Sequence, residues 1–330
     1  MKHKNIAVFI PHIGCPNRCV FCDQHSISGA GAAPTPADVE RILQQAYREI
    51  PDKSNTEIAF FGGSFTAVRR EYMLSLLQVS QKYLGDGGFC GIRVSTRPDA
   101  VPEDILEILE KYHVTTIELG VQSMDEHVLA LNRRGHTAED VFEAVGRIRN
   151  YPFSLGLQMM VGMYGSNPET DWKTARLVAD FFPQNVRIYP TVVLRHTELE
   201  KLYRSGLYMP YTFGQAVSLC AGLLSFFEEE RNIPVIRLGL HASEHLEQEI
   251  SVGIYHPAFR ELCESAVFYQ KILTLLERQK NCRNATVYVH PASISKAVGH
   301  KKINVEKLRE KGYNIILRPD ETLGKYEIRL

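Results

Sequence analysis

The stretch PHIGCPNRCVFCDQ, residues 11–24, sets Cys15, Cys19 and Cys22 within eight positions at a spacing of C-x3-C-x2-C. A four-iron, four-sulfur cube has four iron corners, and a protein usually offers each one a thiolate. Three thiols leave one corner for another ligand, or they belong to different chemistry. Zinc with His12 or His25 is one alternative, but structural zinc favours two separated C-x2-C knuckles and the chain has no second one. A redox C-x2-C pair would leave Cys15 idle. Cys90, Cys220, Cys263 and Cys282 are scattered singly and read as small buried hydrophobes. Seven cysteines, three of them clustered, do not make a disulfide framework, and a reducing cytoplasm fits best.

Downstream of the triad, short apolar runs alternate with amphipathic stretches. Strands are expected at 5–11, 57–62, 91–97, 115–121, 153–161, 185–193 and 235–240. Helices are expected near 36–50, 70–84, 102–112, 137–150, 169–181 and 212–231. Thr35 precedes a proline at the first helical position, and Thr137 stands three residues before Asp140, both helix-start signals. Strand–helix repetition implies a parallel sheet with helices outside. Six or seven units make a partial or full β/α barrel, whose active site lies at the C-terminal ends of its strands. FFGGS, STRPD, ELGVQS and QMMVGM fall at four consecutive strand ends.

Composition narrows the function classes. The 330 residues are 44% hydrophobic and 23% charged, as expected of a soluble globular protein. Lys+Arg 38 balances Asp+Glu 38, so no global field draws in nucleic acid or an anionic membrane, although a local patch could. The N-terminus has no signal-peptide pattern, and no apolar run is long enough to span a bilayer.

C-x3-C-x2-C, with the aromatic Phe21 before its last cysteine, resembles the signature of the radical S-adenosylmethionine enzymes. The further segments FFGGSF, STRPD, IELGVQS, LNRRGHT, RIYPTVVLRHTEL and YRSGLYMPYT are similar in order and distance to the radical domain of the Elongator catalytic subunit, over about residues 10–212. The resemblance implies a partial (β/α)6-type barrel over 1–240, a 4Fe–4S cluster on Cys15, Cys19 and Cys22, and S-adenosylmethionine on the fourth iron. Reductive cleavage of the sulfonium would then give a 5′-deoxyadenosyl radical that abstracts hydrogen from a substrate. A reductant such as flavodoxin or ferredoxin is the implied electron donor.

Residue roles follow from the same resemblance. Phe21 would contact the adenine, and Gly62, Gly63 and Ser64 the methionine amino end. Ser95 and Gln122 would meet ribose or methionine. Arg134 would take the cofactor carboxylate, with Arg133 as its rival, because a guanidinium fork fits a carboxylate. Gln158 stands where porphyrinogen-oxidising relatives carry an acidic ribose partner. Glu118 is read as a cofactor contact or as the partner of a base on a neighbouring strand, and His136 as a cofactor contact or a polar residue at a helix start. The acetyltransferase half of the Elongator subunit has no counterpart in this sequence, so its acetyl chemistry is not expected.

Past residue 240 the alternation stops. A connecting helical segment (241–280) and a small α+β module (281–330) are expected. The histidines at 241, 245 and 256 raise a second metal site, against the commoner reading of surface polar residues. Between 278 and 318 there are ten Lys/Arg and only two acidic residues. This tail resembles a KH module, which clamps a nucleic-acid backbone through a GxxG loop. Here Lys302 replaces the second glycine, and Lys301, Lys302, Lys307 and Arg309 are the nucleic-acid contacts it implies. RNA, transfer RNA in particular, is therefore the leading substrate. The alternatives are a small-molecule enzyme such as a porphyrinogen-type oxidase, and a non-catalytic iron–sulfur protein.

Overall fold

A computed structural model describes residues 4–11, 14–15, 18–23, 32–241, 244–279 and 283–330, the side chains of 244 and 245 excepted. Seven parallel strands form one sheet in the order β1-β2-β3-β4-β5-β6-β8. They are β1 (Lys4–Phe9), β2 (Thr56–Phe61), β3 (Gly91–Thr96), β4 (Val114–Gln122), β5 (Ser154–Val161), β6 (Asn185–Pro190) and β8 (Val235–Leu238). The sheet is curled: the Arg187 guanidinium on β6 lies 5.1 Å from the ring of Phe61 on β2, four strands away. The result is a half-barrel with open edges at β1 and β8, as the strand–helix alternation implies.

The expected helices form where the cap chemistry puts them. Thr35 and Asp38 make a reciprocal capping box at the start of Pro36–Glu49, and Thr137 and Asp140 do the same for Ala138–Ile148. Two short helices escaped the sequence reading, Glu126–Leu131 and Glu198–Arg204. At six and seven residues they are too short to show a helical period. The expected helix at 212–231 is α-helical over Phe213–Ser225, after which its last turn widens. The strand expected at 185–193 is really two. β6 stops at Pro190, and β7 (Val192–Leu194) leaves the barrel to pair antiparallel with β9 (Ile250–Gly253). Proline has no N–H to continue the ladder.

One continuous apolar core runs from the barrel into the tail. It includes Ile58, Leu157 and Ile188 of the sheet, Phe268 and Ile272 of helix Phe259–Arg278, and Val287, Val289 and Leu308 of the tail. In the tail, β10 (Asn284–Val289) pairs parallel with β11 (Asn314–Pro319) and antiparallel with β12 (Ile328–Arg329). Helices Ile294–Val298 and Ile303–Glu310 lie between β10 and β11 in sequence. Asn304 locks them onto Phe259–Arg278 by donating to Ser265 O (2.9 Å) and Ala297 O (3.0 Å).

Asp171 fixes the end of β5. Its buried carboxylate accepts from the Gly162 N–H and the Tyr211 hydroxyl, each at 2.9 Å. Burial outweighs those bonds and raises its pKa to about 6. The native state thus holds a proton between pH 4 and 6 that the unfolded chain gives up, so stability falls as pH rises through that window. Asp171→Asn should remove the effect. Unfolding measured by denaturant at both ends should shift in the variant's favour by about 2 kcal/mol from pH 4 to pH 7. A difference that does not change with pH would refute this.

Candidate active site at the C-terminal mouth of the half-barrel

Parallel strands deliver all their C-terminal ends to one face, and the cysteine loop lies there, directly after β1. Three bonds latch it. Val20 N–H reaches Asn132 O (3.2 Å), Leu199 N–H reaches Val20 O (2.8 Å), and Cys22 N–H reaches Cys19 O (3.1 Å). Val20 is buried with Val193, Leu199 and Tyr208, and Phe21 packs on the same cluster. Gly14 explains the approach of the loop to β2. A Cβ there would stand 2.2 Å from Ser64 O, so only glycine lets the two backbones meet.

Two arginines face the thiols. Arg134 donates from Nη1 to Cys19 Sγ at 3.1 Å and from Nη2 to Gly120 O at 2.8 Å. Its neighbour Arg133 is exposed, so of the two rivals it is Arg134 that turns inward. Arg97, from STRPD, is buried and makes a two-point pair with Asp99 at 2.8 and 2.7 Å. Burial and then Cys19 raise the Cys15 pKa, while Arg97 and Arg134 act to lower it. The sequence reading passed over Arg97 because an arginine before proline at a strand end looks like turn chemistry. Its sequence signal is the position itself, one residue past β3.

The glycine pair and Gln122 supply unusual backbone. Gly62 and Gly63 have φ of 79° and 51°, and Gln122, at a register shift of β4 against β5, has 65°. A non-glycine residue in that region is uncommon and clusters at functional sites. Ser64 is buried, and its hydroxyl sits 2.8 Å from Thr96 Oγ1 and accepts from Arg97 N–H at 3.2 Å. It braces β2 against β3, which leaves its backbone rather than its side chain for any ligand. Ser95 and Gln158 face the lumen, 3.4 Å apart, and Gln158 donates to Glu118 at 2.8 Å.

Below the mouth a charged ladder fills the lumen. Arg93 bridges Glu57 (2.7 Å) and Glu118 (2.6 Å), and Arg187 bonds Glu118 at 2.8 Å. Against the burial that would raise it, Arg187 and Arg93 hold Glu118 below the usual carboxylate range. His136 is buried beside Arg134, with Nε2 3.2 Å from Val121 O. Burial, Arg134 and Arg97 lower its pKa to about 4, so it is neutral at pH 7.

The fit of a cluster and cofactor can be tested on these atoms. Arg97 Nη1, Arg134 Nε and Gln122 Oε1 are buried without a partner among the described residues. Such atoms are costly unless a ligand meets them. Two guanidinium donors and an amide acceptor beside three thiols suit a thiolate-bound cluster and an amino acid's carboxylate and amino groups. Among the described residues, no three His, Cys, Asp or Glu side chains are gathered in coordinating geometry, the triad included.

The other candidates fall elsewhere. His241 lies against Arg237, the side chain of His245 is outside the described residues, and His256 Nδ1 accepts from Ala258 N–H. His12, His25 and Cys282 lie outside the described residues too. Lys301, Lys302, Lys307 and Arg309 are exposed on the tail. Gly299, which opens the GHKK loop, is buried, and a Cβ there would meet Ser265 Oγ at 2.9 Å. Backbone approach to that glycine is therefore blocked, leaving the loop's exposed side chains for any ligand. Among the described residues no helix is long and apolar enough to cross a membrane.

Comparison with known proteins gives the site its context. The chain is 26% identical over 252 residues to a tRNA uridine(34) acetyltransferase of Dehalococcoides mccartyi, covering 66% of this chain and 55% of that one. It is 30% identical over 304 residues to human Elongator complex protein 3, covering 76% and 52%. The chain thus spans about half the length of these curated relatives. The structure of archaeal Methanocaldococcus infernus Elp3, lacking residues 1–46, superposes with a TM-score of 0.62 at 22% identity, over 85% of this chain and 65% of that one. Residues 183–267 match the model of the Radical_SAM C-terminal domain. Residues 9–178, from the end of β1 through the cysteine loop and into the helix after β5, match the Radical SAM superfamily model, and the chain belongs to that superfamily.

Proposed function

We propose that this radical SAM enzyme holds a 4Fe–4S cluster with Cys15, Cys19 and Cys22, binds S-adenosylmethionine at the mouth of the half-barrel, and acts on RNA, with transfer RNA as the substrate. The observation that carries the cofactor assignment is the meeting of the thiols with two buried, incompletely bonded arginines at the strand ends. When bound, cluster and cofactor supply reductive cleavage of a carbon–sulfur bond, yielding a radical able to abstract hydrogen. A low-potential donor of the flavodoxin or ferredoxin kind would provide the electron.

The chain's own residues then have distinct tasks. Arg134 holds Cys19 from one side and offers Nε to an anionic cofactor group. Arg97, kept in place by Asp99, adds a second fixed positive charge. The positive-φ turn at Gly62 and Gly63 lets backbone approach the ligand without a Cβ in the way. Neutral His136 brings no further charge against the two arginines. Preorganised dipoles and charges of this kind act without reorganising during reaction.

The RNA assignment is supported by the similarity to proteins named for tRNA uridine modification and by the exposed basic tail. The acetyltransferase activity in those names is not carried over. Anaerobic reconstitution with cofactor, reductant and total RNA, followed by mass spectrometry of nucleosides, tests the assignment. A new or lost nucleoside is expected together with 5′-deoxyadenosine. Cofactor cleavage with no RNA change would move the substrate elsewhere. Lys301→Ala with Lys302→Ala should weaken tRNA binding and flatten its dependence on log salt by about 1–2 units. Binding that ignores both salt and these lysines would count against RNA.

A further inference from the structure

The lumen ladder does not balance. Glu57 and Glu118 face Arg93 and Arg187, and then β8 adds Arg237 beside Arg187. Among the described residues no carboxylate bonds Arg237. Its Nη2 instead lies 2.6 Å from Nδ1 of His241. Arg260, the other cation nearby, is already taken by Glu228 at 2.6 Å and Glu264 at 3.3 Å. Burial lowers the Arg237 pKa, and Arg187 and Arg260 lower it further, while Tyr189 acts the other way. A half-buried cation next to like charge is unfavourable unless something anionic meets it.

The backbone is bent to put it there. Val186 pairs with Val235, but Arg187 pairs with Arg237, so β8 slips by one residue. Without that bulge Ile236 would stand opposite Arg187. With it, Ile236 is 43% exposed and Arg237 takes the position opposite Arg187. Turning an aliphatic side chain to water and inward a cation that meets no carboxylate among the described residues costs stability twice. Bulges that re-aim a side chain in this way are found at functional sites.

We propose that Arg237, flanked by Tyr189 and His241, is the subsite that receives a phosphate of the nucleotide substrate at the open β8 edge. A guanidinium fork matches phosphate oxygens in two-point fashion. This subsite rests on the nucleic-acid reading of the substrate and names which group of it the lumen holds.

Titration calorimetry on the full-length protein tests it, with uridine 5′-monophosphate as the probe and uridine as the uncharged control. The nucleotide should bind at least about tenfold tighter than the nucleoside. Arg237→Gln should erase that preference, and Arg237→Lys should keep part of it. Because Arg237→Gln relieves the repulsion with Arg187 and keeps an N–H donor for His241, its melting temperature should not fall, so loss of preference cannot be put down to unfolding. Equal affinity for the two probes, absence of binding by either, or a preference that survives Arg237→Gln would each overturn the subsite. The substrate reading fails separately. Arg237-dependent nucleotide preference without tRNA binding would leave the subsite standing for a small nucleotide, while tRNA binding without that preference would remove the subsite alone.

Discussion

Replacing Cys19 with alanine is expected to abolish both iron incorporation and cofactor cleavage. On the proposed reading two thiolates are too few to hold the cube, and without it the donor's electron has no route to the cofactor. 5′-Deoxyadenosine formation should drop by about a thousandfold or more, equivalent to over 4 kcal/mol of barrier. Cys19 is the informative member, because it is the thiol that Arg134 contacts at 3.1 Å. Its loss strips the arginine of that partner as well. Cys90, exposed and bonded only to Thr56 O, is the control, and Cys90→Ala should change neither readout. Iron analysis and visible absorption of anaerobically reconstituted protein check the first effect, and chromatography of the nucleoside checks the second. A Cys19→Ala protein that still loads iron and cleaves cofactor would end the assignment.

Glu118→Gln should be the most damaging single change to stability. The carboxylate is fully buried and accepts from Arg93, Arg187 and Gln158 at 2.6 to 2.8 Å. Removing its charge leaves Arg93, Arg187 and Arg237 to share the lumen with Glu57 alone. Breaking a buried pair this way costs about 3–5 kcal/mol, because the stranded charge stays desolvated. The exposed Lys82–Glu40 pair, whose side chains are 60% and 43% accessible, gives the contrast. Glu40→Gln should cost far less, because solvent screens an exposed pair. Guanidinium unfolding of both variants decides the matter. Equal losses would mean that water reaches Glu118 and the ladder is solvated.

The sequence disclosed the barrel because its strands are nearly unbroken apolar runs and its helices carry caps. It disclosed the cysteines because their spacing is local. What it hid depends on register. Glu57, Arg93 and Arg187 each look like an isolated charge inside a strand, and only the folded side chains show Arg93 between Glu57 and Glu118, with Arg187 reaching Glu118 from two strands away. The slip that brings Arg237 opposite Arg187 cannot be read from VIRL, in which Ile236 is the natural inward residue. Ser64 shows the opposite failure. Its motif position suggests a ligand contact, whereas Thr96 and the Arg97 amide occupy its hydroxyl. Phe21, assigned to adenine by resemblance, packs its ring on an apolar cluster.

Helix Phe259–Arg278 packs against both the barrel and the tail. Cys263 and Phe268 lie in the core that continues into the barrel, and the carbonyl of Ser265 anchors the tail through Asn304. Replacing the last fifty residues with an unrelated module would therefore mean recutting both flanks of one rod at once.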